Sequence, residues 1–379
     1  MKTRFKWTFK QIILILVFLF LLNIGFINSQ SNNESNLIQM AILLDTSNSM
    51  DGLIDQAKSN LWKIVNELAT TKKNGENPIL EVALYEYGND GLSQEKNYLR
   101  QIVPFTTDLD LISEELFNLS TNGGQEYCGA VIQKAVKDLK WTKNNKILKV
   151  IFIAGNEPFD QGNIDYRDSS KLAISRGIIV NTIFCGDLQN GITTKWKDGA
   201  DLADGTYMNI NQNLTEEYIK APQDKEIMVL NQQLNKTYIA YGIEGNKKKE
   251  LQAKQDKNAA SMNQEAEIQR AISKSTKNYV NSSWDLLDGY EQGIIDFEKI
   301  KDKDLPEEMR GMTAKEKENY MKKLLNERKE IQDKIKKLNE ERKIYITKVK
   351  QENAKEDSLD DAIIRVIKKQ ANEKGYQAK

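Results

Sequence analysis

The sequence predicts an α/β fold with a doubly wound, mostly parallel sheet and one antiparallel edge strand, followed by an α-helical C-terminal region. Between residues 37 and 210, apolar runs of strand length alternate with segments of helical periodicity. The runs are almost continuously apolar, as expected for strands that helices cover on both faces. From residue 246 onward Lys, Glu, Gln and Asn dominate while Gly and Pro are scarce, which favours helices.

The predicted elements follow one another in a regular order. Strands are predicted at 37–44, 79–87, 98–103, 147–154, 178–185 and 206–210, and helices at 53–68, 109–119, 126–141 and 169–176. The second and third strands are joined by a loop that contains Gly and Asn, which predicts a hairpin. This hairpin accounts for the single antiparallel edge strand.

The first 29 residues have the layout of a secretory signal peptide. Four basic residues lie among the first ten, residues 12–22 are apolar, and the small residue Ser29 precedes Gln30. Cleavage there predicts a secreted or periplasmic protein without a stable membrane span. The alternative is an inner-membrane anchor that is not cleaved, although its apolar core is shorter than the roughly 20 residues of a spanning helix.

The composition of the 379-residue chain excludes several function classes. Histidine is absent, which rules out Ser-His-Asp, Cys-His and zinc-protease sites. Basic and acidic residues number 55 each, and no basic surplus or stripe is present, so we do not expect a nucleic-acid partner. The two cysteines are too few for a structural zinc site.

The first strand ends in three oxygen-bearing side chains at alternate positions, Asp45, Ser47 and Ser49. Ligand sites in parallel sheets lie just past the carboxyl ends of the strands, which is where these residues fall. One carboxylate and two hydroxyls form a small cluster of hard oxygen donors, which suits Mg²⁺.

This spacing resembles the Asp-x-Ser-x-Ser signature of von Willebrand factor type A domains, in which it opens a metal-ion-dependent adhesion site. The order of elements and the closing segment 202–210 extend the resemblance over about residues 36–215. It implies a doubly wound fold of this family, a bound divalent cation, Mg²⁺ or Ca²⁺, and a protein partner.

Two other loops would complete such a site, and both depart from the family pattern. Gln125 stands where the family has Thr, and Gly155 stands where it has Asp. On one interpretation, Thr121 or Glu126 and Asn156 or Glu157 supply the missing oxygens of a rearranged site. On the other, Asp45 and the serines only cap the following helix and satisfy turn amides, and no metal binds.

Cys128 begins the predicted third helix and Cys185 ends the predicted fifth strand, so both lie at the carboxyl edge of the sheet. In an oxidising compartment a lone pair of cysteines more often forms a disulfide than two free thiols. The hypothesis is therefore a Cys128–Cys185 disulfide, and the alternative is two buried thiols.

The remainder of the chain divides into a predicted connecting helix at 216–245 and a helical hairpin or bundle at 246–379. A heptad seam runs through the second of these, with arginine at two of its positions, so the segment is only partly coiled-coil-like. The seam positions are Leu324, Arg328, Ile331, Ile335, Leu338, Arg342, Tyr345 and Val349, and the predicted opposing face is Trp284, Leu286, Leu287, Ile294, Ile295 and Phe297.

These observations favour a non-enzymatic protein-binding or adhesion module of the cell envelope, with a partner that the sequence does not identify. Its C-terminal helices form a candidate surface for self-association. One alternative is a metal-free scaffold that binds through those helices. A second is an envelope hydrolase that uses paired carboxylates such as Glu126 and Glu157.

Overall fold

The computed structural model describes residues 36–210, 218–296, 299–352 and 359–377, and side chains at 359–362 are not part of this description. The predicted signal peptide at 1–29 and Phe297 lie outside the described residues. Within the described ranges, no helix is both long and apolar enough to cross a membrane.

The described residues contain a six-stranded sheet with the strand order β3-β2-β1-β4-β5-β6. Its strands are β1 (Leu37–Asp45), β2 (Ile79–Tyr87), β3 (Leu99–Thr106), β4 (Leu148–Gly155), β5 (Ile179–Cys185) and β6 (Tyr207–Ile210). Only the β2–β3 pair is antiparallel, and every other pair is parallel. The predicted fold class, including its one antiparallel edge strand, is confirmed.

Helices surround the sheet and continue past it. In chain order they are α1 (Ile54–Thr70), α2 (Leu109–Asn118), α3 (Cys128–Asp138), α4 (Tyr166–Ser175), α5 (Leu188–Thr193), α6 (Trp196–Asp201), α7 (Asp224–Lys236), α8 (Gly245–Met262), α9 (Gln264–Lys274), α10 (Leu286–Glu291), α11 (Ala314–Glu352) and α12 (Leu359–Glu373). Short 3-10 turns occur at Asn48–Met50, Gln94–Lys96, Asp302–Asp304 and Glu307–Met309.

The central strand β1 is buried along both of its faces. Ile38, Met40 and Ile42 pack with α1 and α2, whereas Ala41 and Leu43 pack with α3 and α4 on the other side. Alternate residues of a strand point to opposite faces, so one apolar run supplies both core layers. This double coverage explains why β1 lacks the apolar-polar alternation of a half-exposed strand.

The last helix, α12, returns to the sheet and completes one of these layers. Ile363, Ile367 and Tyr376 are buried in the same core cluster as the α1 side of β1. The Gln370 and Asn181 side chains exchange two buried hydrogen bonds of 2.8 and 3.0 Å. The sequence did not reveal this contact, because it joins elements far apart along the chain.

The seam of α11 packs against shorter helices of the same chain, and its two arginines are buried. Arg328 contacts Asp285 at 2.6 Å and Asp288 at 2.7 Å. Arg342 contacts Asp224 at 2.7 Å. Ion pairs with neighbouring helices therefore explain the arginines, and the coiled-coil expectation for this segment is not supported.

The predicted opposing face is only partly formed. Trp284, Leu286 and Leu287 are buried in clusters that include residues of α11. Ile294, in contrast, is 59% exposed, and the prediction that it packs against the seam is wrong. It follows the short helix α10 in a loop, and it is the next residue, Ile295, that packs against the cluster containing Met321 of α11.

The helical region also packs on the α2 side of the sheet domain. The buried Arg270 on α9 contacts Asp110 on α2 at 2.5 Å and Asp256 on α8 at 2.9 Å. The boundary predicted at 215/216 falls within residues 211–217, which lie outside the described ranges. This boundary and the one at 245/246 stay predictions.

Candidate functional site

Asp45 lies at the carboxyl end of β1 and is fully buried. Its Oδ1 atom accepts a hydrogen bond of 2.8 Å from the backbone amide of Ser47. Its Oδ2 atom is buried without a hydrogen-bond partner. Burial raises the pKa of this carboxyl to about 7, partly offset by hydrogen bonds from Ser47, and the nearby negative charge of Glu126 also raises the pKa.

The Ser47 hydroxyl is the centre of the cluster. It lies 2.8 Å from the Ser49 hydroxyl, to which it donates, because the Ser49 hydroxyl itself donates to Asn156. Ser47 is fully buried, while Ser49 is exposed at the rim. The alternate positions of the motif therefore place one hydroxyl inside the site and one at its mouth.

Glu126 enters the site from the loop before α3, and it is 6% exposed. Burial raises the pKa of its carboxyl, and the negative charges of Glu157 and Asp90 raise it further. The polar Ser47 side chain acts in the opposite direction. The carboxyl groups of Asp45 and Glu126 thus both lie beside the buried residue Ser47.

Two glycines make this close approach possible. A Cβ atom at Gly88 would lie 2.6 Å from Asp45 Oδ1, and one at Gly124 would lie 2.0 Å from Glu126 Oε1. Both glycines also have positive φ angles, of 80° and 155°, which disfavour a side chain. Any larger residue at either position would displace a carboxylate from the cluster.

The third loop contributes Asn156 and Glu157 in different ways. The Asn156 side chain accepts a hydrogen bond of 2.8 Å from the Ser49 hydroxyl and donates one of 2.7 Å to the Ser49 carbonyl. The Glu157 carbonyl accepts from the Trp196 indole at 2.7 Å. The Glu157 carboxylate is half-buried, and its negative charge raises the pKa of the Glu126 carboxyl.

Thr121 and Gln125 lie at the edge of the second loop. The Thr121 hydroxyl donates to the exposed carboxylate of Asp51. Gln125, which takes the position of the family Thr, is exposed. The structure therefore places Glu126, rather than Thr121 or Gln125, beside Asp45.

Tyr87 occupies the place where an aspartate at position 155 would project. A Cβ atom at Gly155 would lie 2.5 Å from the Tyr87 hydroxyl and 2.9 Å from Asp45 Oδ2. The Tyr87 hydroxyl itself donates to the Ala154 carbonyl at 3.0 Å. The sequence alone did not reveal Tyr87 and Gly88 as site residues. Pairing of β2 with β1 brings them there, because Tyr87 is the register partner of Asp45.

The predicted Cys128–Cys185 disulfide is wrong, because both cysteines are free and buried. Cys128 belongs to the core cluster on the α3 side of the sheet, and Cys185 belongs to the cluster on the α1 side. Cys128 instead lies 3.7 Å from the Tyr87 hydroxyl. Both cysteines lie at the same edge of the sheet, but they belong to the core layers on its two opposite faces, and the sheet separates them.

Within the part of the chain that the structure describes, no three His, Cys, Asp or Glu side chains are grouped to hold a metal ion. A cation at this edge would therefore need hydroxyl and amide oxygens as well as carboxylates. Asp45, Glu126, Ser47, Ser49 and Asn156 supply that mixture, and the unpartnered Asp45 Oδ2 is a vacant acceptor. The donor set fits Mg²⁺, which needs only one or two carboxylates and retains several waters.

One family model matches part of the chain. Residues 39–195 match the model of the von Willebrand factor type A domain. No curated protein matches the chain at a significant level.

Several solved structures are similar to part of the chain. Proximal thread matrix protein 1 from the mussel byssus matches with a TM-score of 0.35 and 12% identity, over 47% of this chain and 42% of that protein. The match thus spans less than half of the mussel protein, of which another structure has a zinc-occupied MIDAS motif.

Two bacterial structures are similar at the same level. The conserved hypothetical protein BatB from Bacteroides thetaiotaomicron has a TM-score of 0.35 and 17% identity, over 46% of this chain and 90% of that one. The pilus adhesin SpaC from Lactobacillus rhamnosus GG, in its open conformation, has a TM-score of 0.36 and 12% identity, over 46% of this chain and 28% of that one.

Proposed function

We propose that the chain, of which residues 39–195 match the model of the von Willebrand factor type A domain, is a non-enzymatic protein-binding or adhesion module. Its contact point is the oxygen cluster at the carboxyl end of the sheet, with a bound divalent cation. Domains of this family commonly mediate protein interactions, which supports a protein partner. Fold alone does not identify that partner.

The observation that carries the proposal is the buried Asp45 carboxylate with its unpartnered Oδ2 atom. A buried acceptor without a partner costs about 1–3 kcal/mol, and more when it is charged. A cation that Asp45 and Glu126 hold together, with Ser47, Ser49 and Asn156 around it, would remove that cost. Since Glu126 and Asp45 lie together around Gly88 and Ser47, we assign Glu126 to cation binding rather than to proton transfer.

Mg²⁺ fits the donor set better than Ca²⁺. Ca²⁺ takes six to eight oxygen ligands, whereas Mg²⁺ is commonly held by one or two carboxylates and keeps its remaining waters. A bound Mg²⁺ would supply a positive centre with an exchangeable position, to which an acidic side chain of a partner could bind. Ser49, which is exposed, lies at the face where that partner would approach.

Titration of the purified, chelator-treated chain with Mg²⁺, Mn²⁺ or Ca²⁺ tests the site. We expect saturable heat in calorimetry and a raised thermal midpoint, both lost in Asp45→Ala. The matched control is Asp168→Ala, because the Asp168 carboxylate is 75% exposed on α4, outside the oxygen cluster. Equal responses of Asp45→Ala and the parent chain would refute cation binding by this cluster.

A second function, a metal-free scaffold that binds through its C-terminal helices, is favoured by a different observation. Ser49 and Asn156 already form two hydrogen bonds with each other, and the Thr121 hydroxyl donates to Asp51. These polar side chains at the rim of the site therefore have protein partners without a metal. If no divalent cation stabilises the chain, and partner capture is insensitive to chelator, the scaffold replaces the cation-dependent module.

We also propose that the chain is exported, on the basis of the charge and apolar pattern of residues 1–29. N-terminal sequencing of the protein recovered outside the cytoplasm would give Gln30 as the first residue. Recovery of an intact N-terminus from the membrane fraction would instead support the anchored alternative.

A further inference from the structure

The loops at the carboxyl end of the sheet form a strongly acidic surface, which we call the site face. Its loops are 46–53, 88–98, 119–127, 156–165 and 186–195. Outside the oxygen cluster, they carry the carboxylates of Asp51, Asp90, Glu95, Glu157, Asp160, Asp165 and Asp187. Their basic residues are Lys96 and Lys195. The fold therefore gathers at one edge an acidic surplus that the balanced composition of the whole chain does not show.

Several of these charges have no basic side chain beside them. Asp90, Glu95 and Asp160 are exposed, and within the described ranges no Lys or Arg side chain forms an ion pair with them. The negative charges of Glu157 and Asp90 also raise the pKa of the buried Glu126 carboxyl. The carboxylates of the face therefore repel one another, and positive charge placed against the face would relieve this repulsion.

A second observation, at the centre of the face, also points to a positively charged ligand. Asp45 is fully buried, and its Oδ2 atom has no hydrogen-bond partner. In the sheet, β1 lies between β2 and β4, so the acidic loops that follow β2 and β4 flank this carboxyl on both sides. The exposed carboxylates thus surround a buried acceptor that the protein itself leaves unsatisfied.

Two tyrosines beside the site add aromatic surface to the acidic face. The Tyr98 and Tyr127 rings pack edge to face with 5.9 Å between their centroids, and both residues are partly exposed. The Tyr98 carbonyl accepts a hydrogen bond of 2.9 Å from the Gly88 amide, and Tyr127 directly follows Glu126. A Cβ atom at Gly162 would lie 2.7 Å from the Tyr127 ring, so the glycine leaves room for it. Aromatic rings attract ammonium and guanidinium groups, as the neighbouring carboxylates do.

We propose that the site face binds a positively charged segment of a protein partner, an inference that rests on the proposed function for its point of contact. Arg or Lys side chains of the segment lie against the exposed carboxylates and the tyrosine pair. Complementary charge speeds association and excludes partners of like charge. A partner carboxylate that reaches a bound cation therefore comes from within a basic segment, because the face repels an acidic one.

The test measures the binding of two fluorescein-labelled peptides to the full chain by fluorescence anisotropy at low ionic strength, with and without Mg²⁺. One peptide alternates Arg and Gly, and the other alternates Glu and Gly. The variant Glu95→Gln/Asp160→Asn/Asp187→Asn removes three exposed charges from three loops of the face. Asn at position 187 can still cap α5, so the variant preserves the local structure.

The matched control, Glu327→Gln/Glu330→Gln/Asp333→Asn, removes the same charge from exposed positions of α11. We expect the parent and this control to bind the Arg peptide equally, and to bind it more tightly than the Glu peptide. The face variant should bind the Arg peptide about tenfold more weakly, since one exposed ion pair changes affinity by up to about fivefold. Salt at about 1 M should remove the difference, because it shortens the Debye length to about 3 Å.

A separate variant tests the tyrosine pair. Tyr98→Asn removes one ring, and Asn suits the left-handed backbone at this position, where φ is 51°. We expect it to bind the Arg peptide about threefold more weakly, as the loss of one exposed cation–π contact implies. Its matched control is Tyr345→Asn, which removes an exposed ring from α11 and should leave binding unchanged.

Two results would overturn the proposal. The first is equal affinity of the face variant and its α11 control for the Arg peptide. The second is binding of the Glu peptide at least as tight as that of the Arg peptide, which would assign the face to acidic partners instead. Calorimetric titration of the face variant with Mg²⁺ is a separate readout of the proposed function, because this variant retains Asp45 and Glu126.

Discussion

Replacement of Asp45 by Asn is expected to change how the stability of the metal-free chain depends on pH. Asp45 is fully buried, and burial raises the pKa of its carboxyl to about 7. The Asn side chain has nearly the same shape and keeps an oxygen that can accept from the Ser47 amide. The substitution therefore removes the titratable carboxyl group and keeps the hydrogen bond from the Ser47 amide.

The magnitude follows from the difference between the two pKa values. The unfolded chain titrates Asp45 near 3.8 and the folded chain near 7, and each unit is worth about 1.4 kcal/mol, so the coupling is about 4 kcal/mol. Because the folded state holds the proton more tightly, this contribution is fully present below about pH 4. It is lost as the pH rises towards about 7.

Urea unfolding in the presence of chelator, followed by tryptophan fluorescence from about pH 4 to about pH 8, measures this effect. We expect the free energy of unfolding of the parent to fall relative to that of Asp45→Asn by about 4 kcal/mol over the range. Glu126 titrates in the same direction and leaves a residual slope in both chains. Saturating Mg²⁺ at neutral pH should then raise the free energy of unfolding of the parent but not that of Asp45→Asn.

Parallel curves for the parent and the variant would refute the reasoning, because Asp45 would then bind protons equally in the folded and unfolded chains. A parent that gains stability from pH 4 to pH 7 relative to Asp45→Asn would also refute it, since that sign belongs to a carboxylate whose pKa is lowered in the folded chain, as in an ion pair.

Three further predictions concern packing and the cysteines. Arg328→Met should lower the free energy of unfolding by about 3–5 kcal/mol in urea titrations, because it leaves two buried aspartates without their cation. Gly155→Asp should destabilise the chain by about 1–3 kcal/mol, without strengthening Mg²⁺ binding in calorimetry, because its side chain meets Tyr87. Both thiols should resist Ellman's reagent in the native chain and react after unfolding without reductant.

Each of these predictions has its own control. Lys322→Met, on the exposed face of the same helix as Arg328, should cost less than about 1 kcal/mol. Tighter Mg²⁺ binding by Gly155→Asp would show that the loop can move enough to admit the family aspartate. Thiols that react only after reduction would restore the disulfide hypothesis.

The extent to which sequence predicts this molecule differs between local and long-range features. Strand and helix periodicities predicted the sheet, its antiparallel edge and most element bounds within a few residues, because these patterns reflect which faces are buried. Asp45, Ser47 and Ser49 were found for the same reason, since they directly follow a buried strand. The match of residues 39–195 to the family model agrees with that prediction.

The remaining features depend on contacts between distant segments, which periodicity does not encode. Only the fold shows that Glu126 approaches Asp45 past two glycines and that Tyr87 fills the space beside Gly155. In the same way, the sheet separates the two cysteines, and helices remote in sequence supply the acidic partners of Arg328.

The sequence by itself determined the fold class and the carboxylate on which the candidate site depends. Tertiary structure decided which second carboxylate joins it and how the last helix closes the core. The physical reason is that burial pattern is a local property of a strand or helix. Charge pairing and close packing depend on distances between segments that the fold alone brings together.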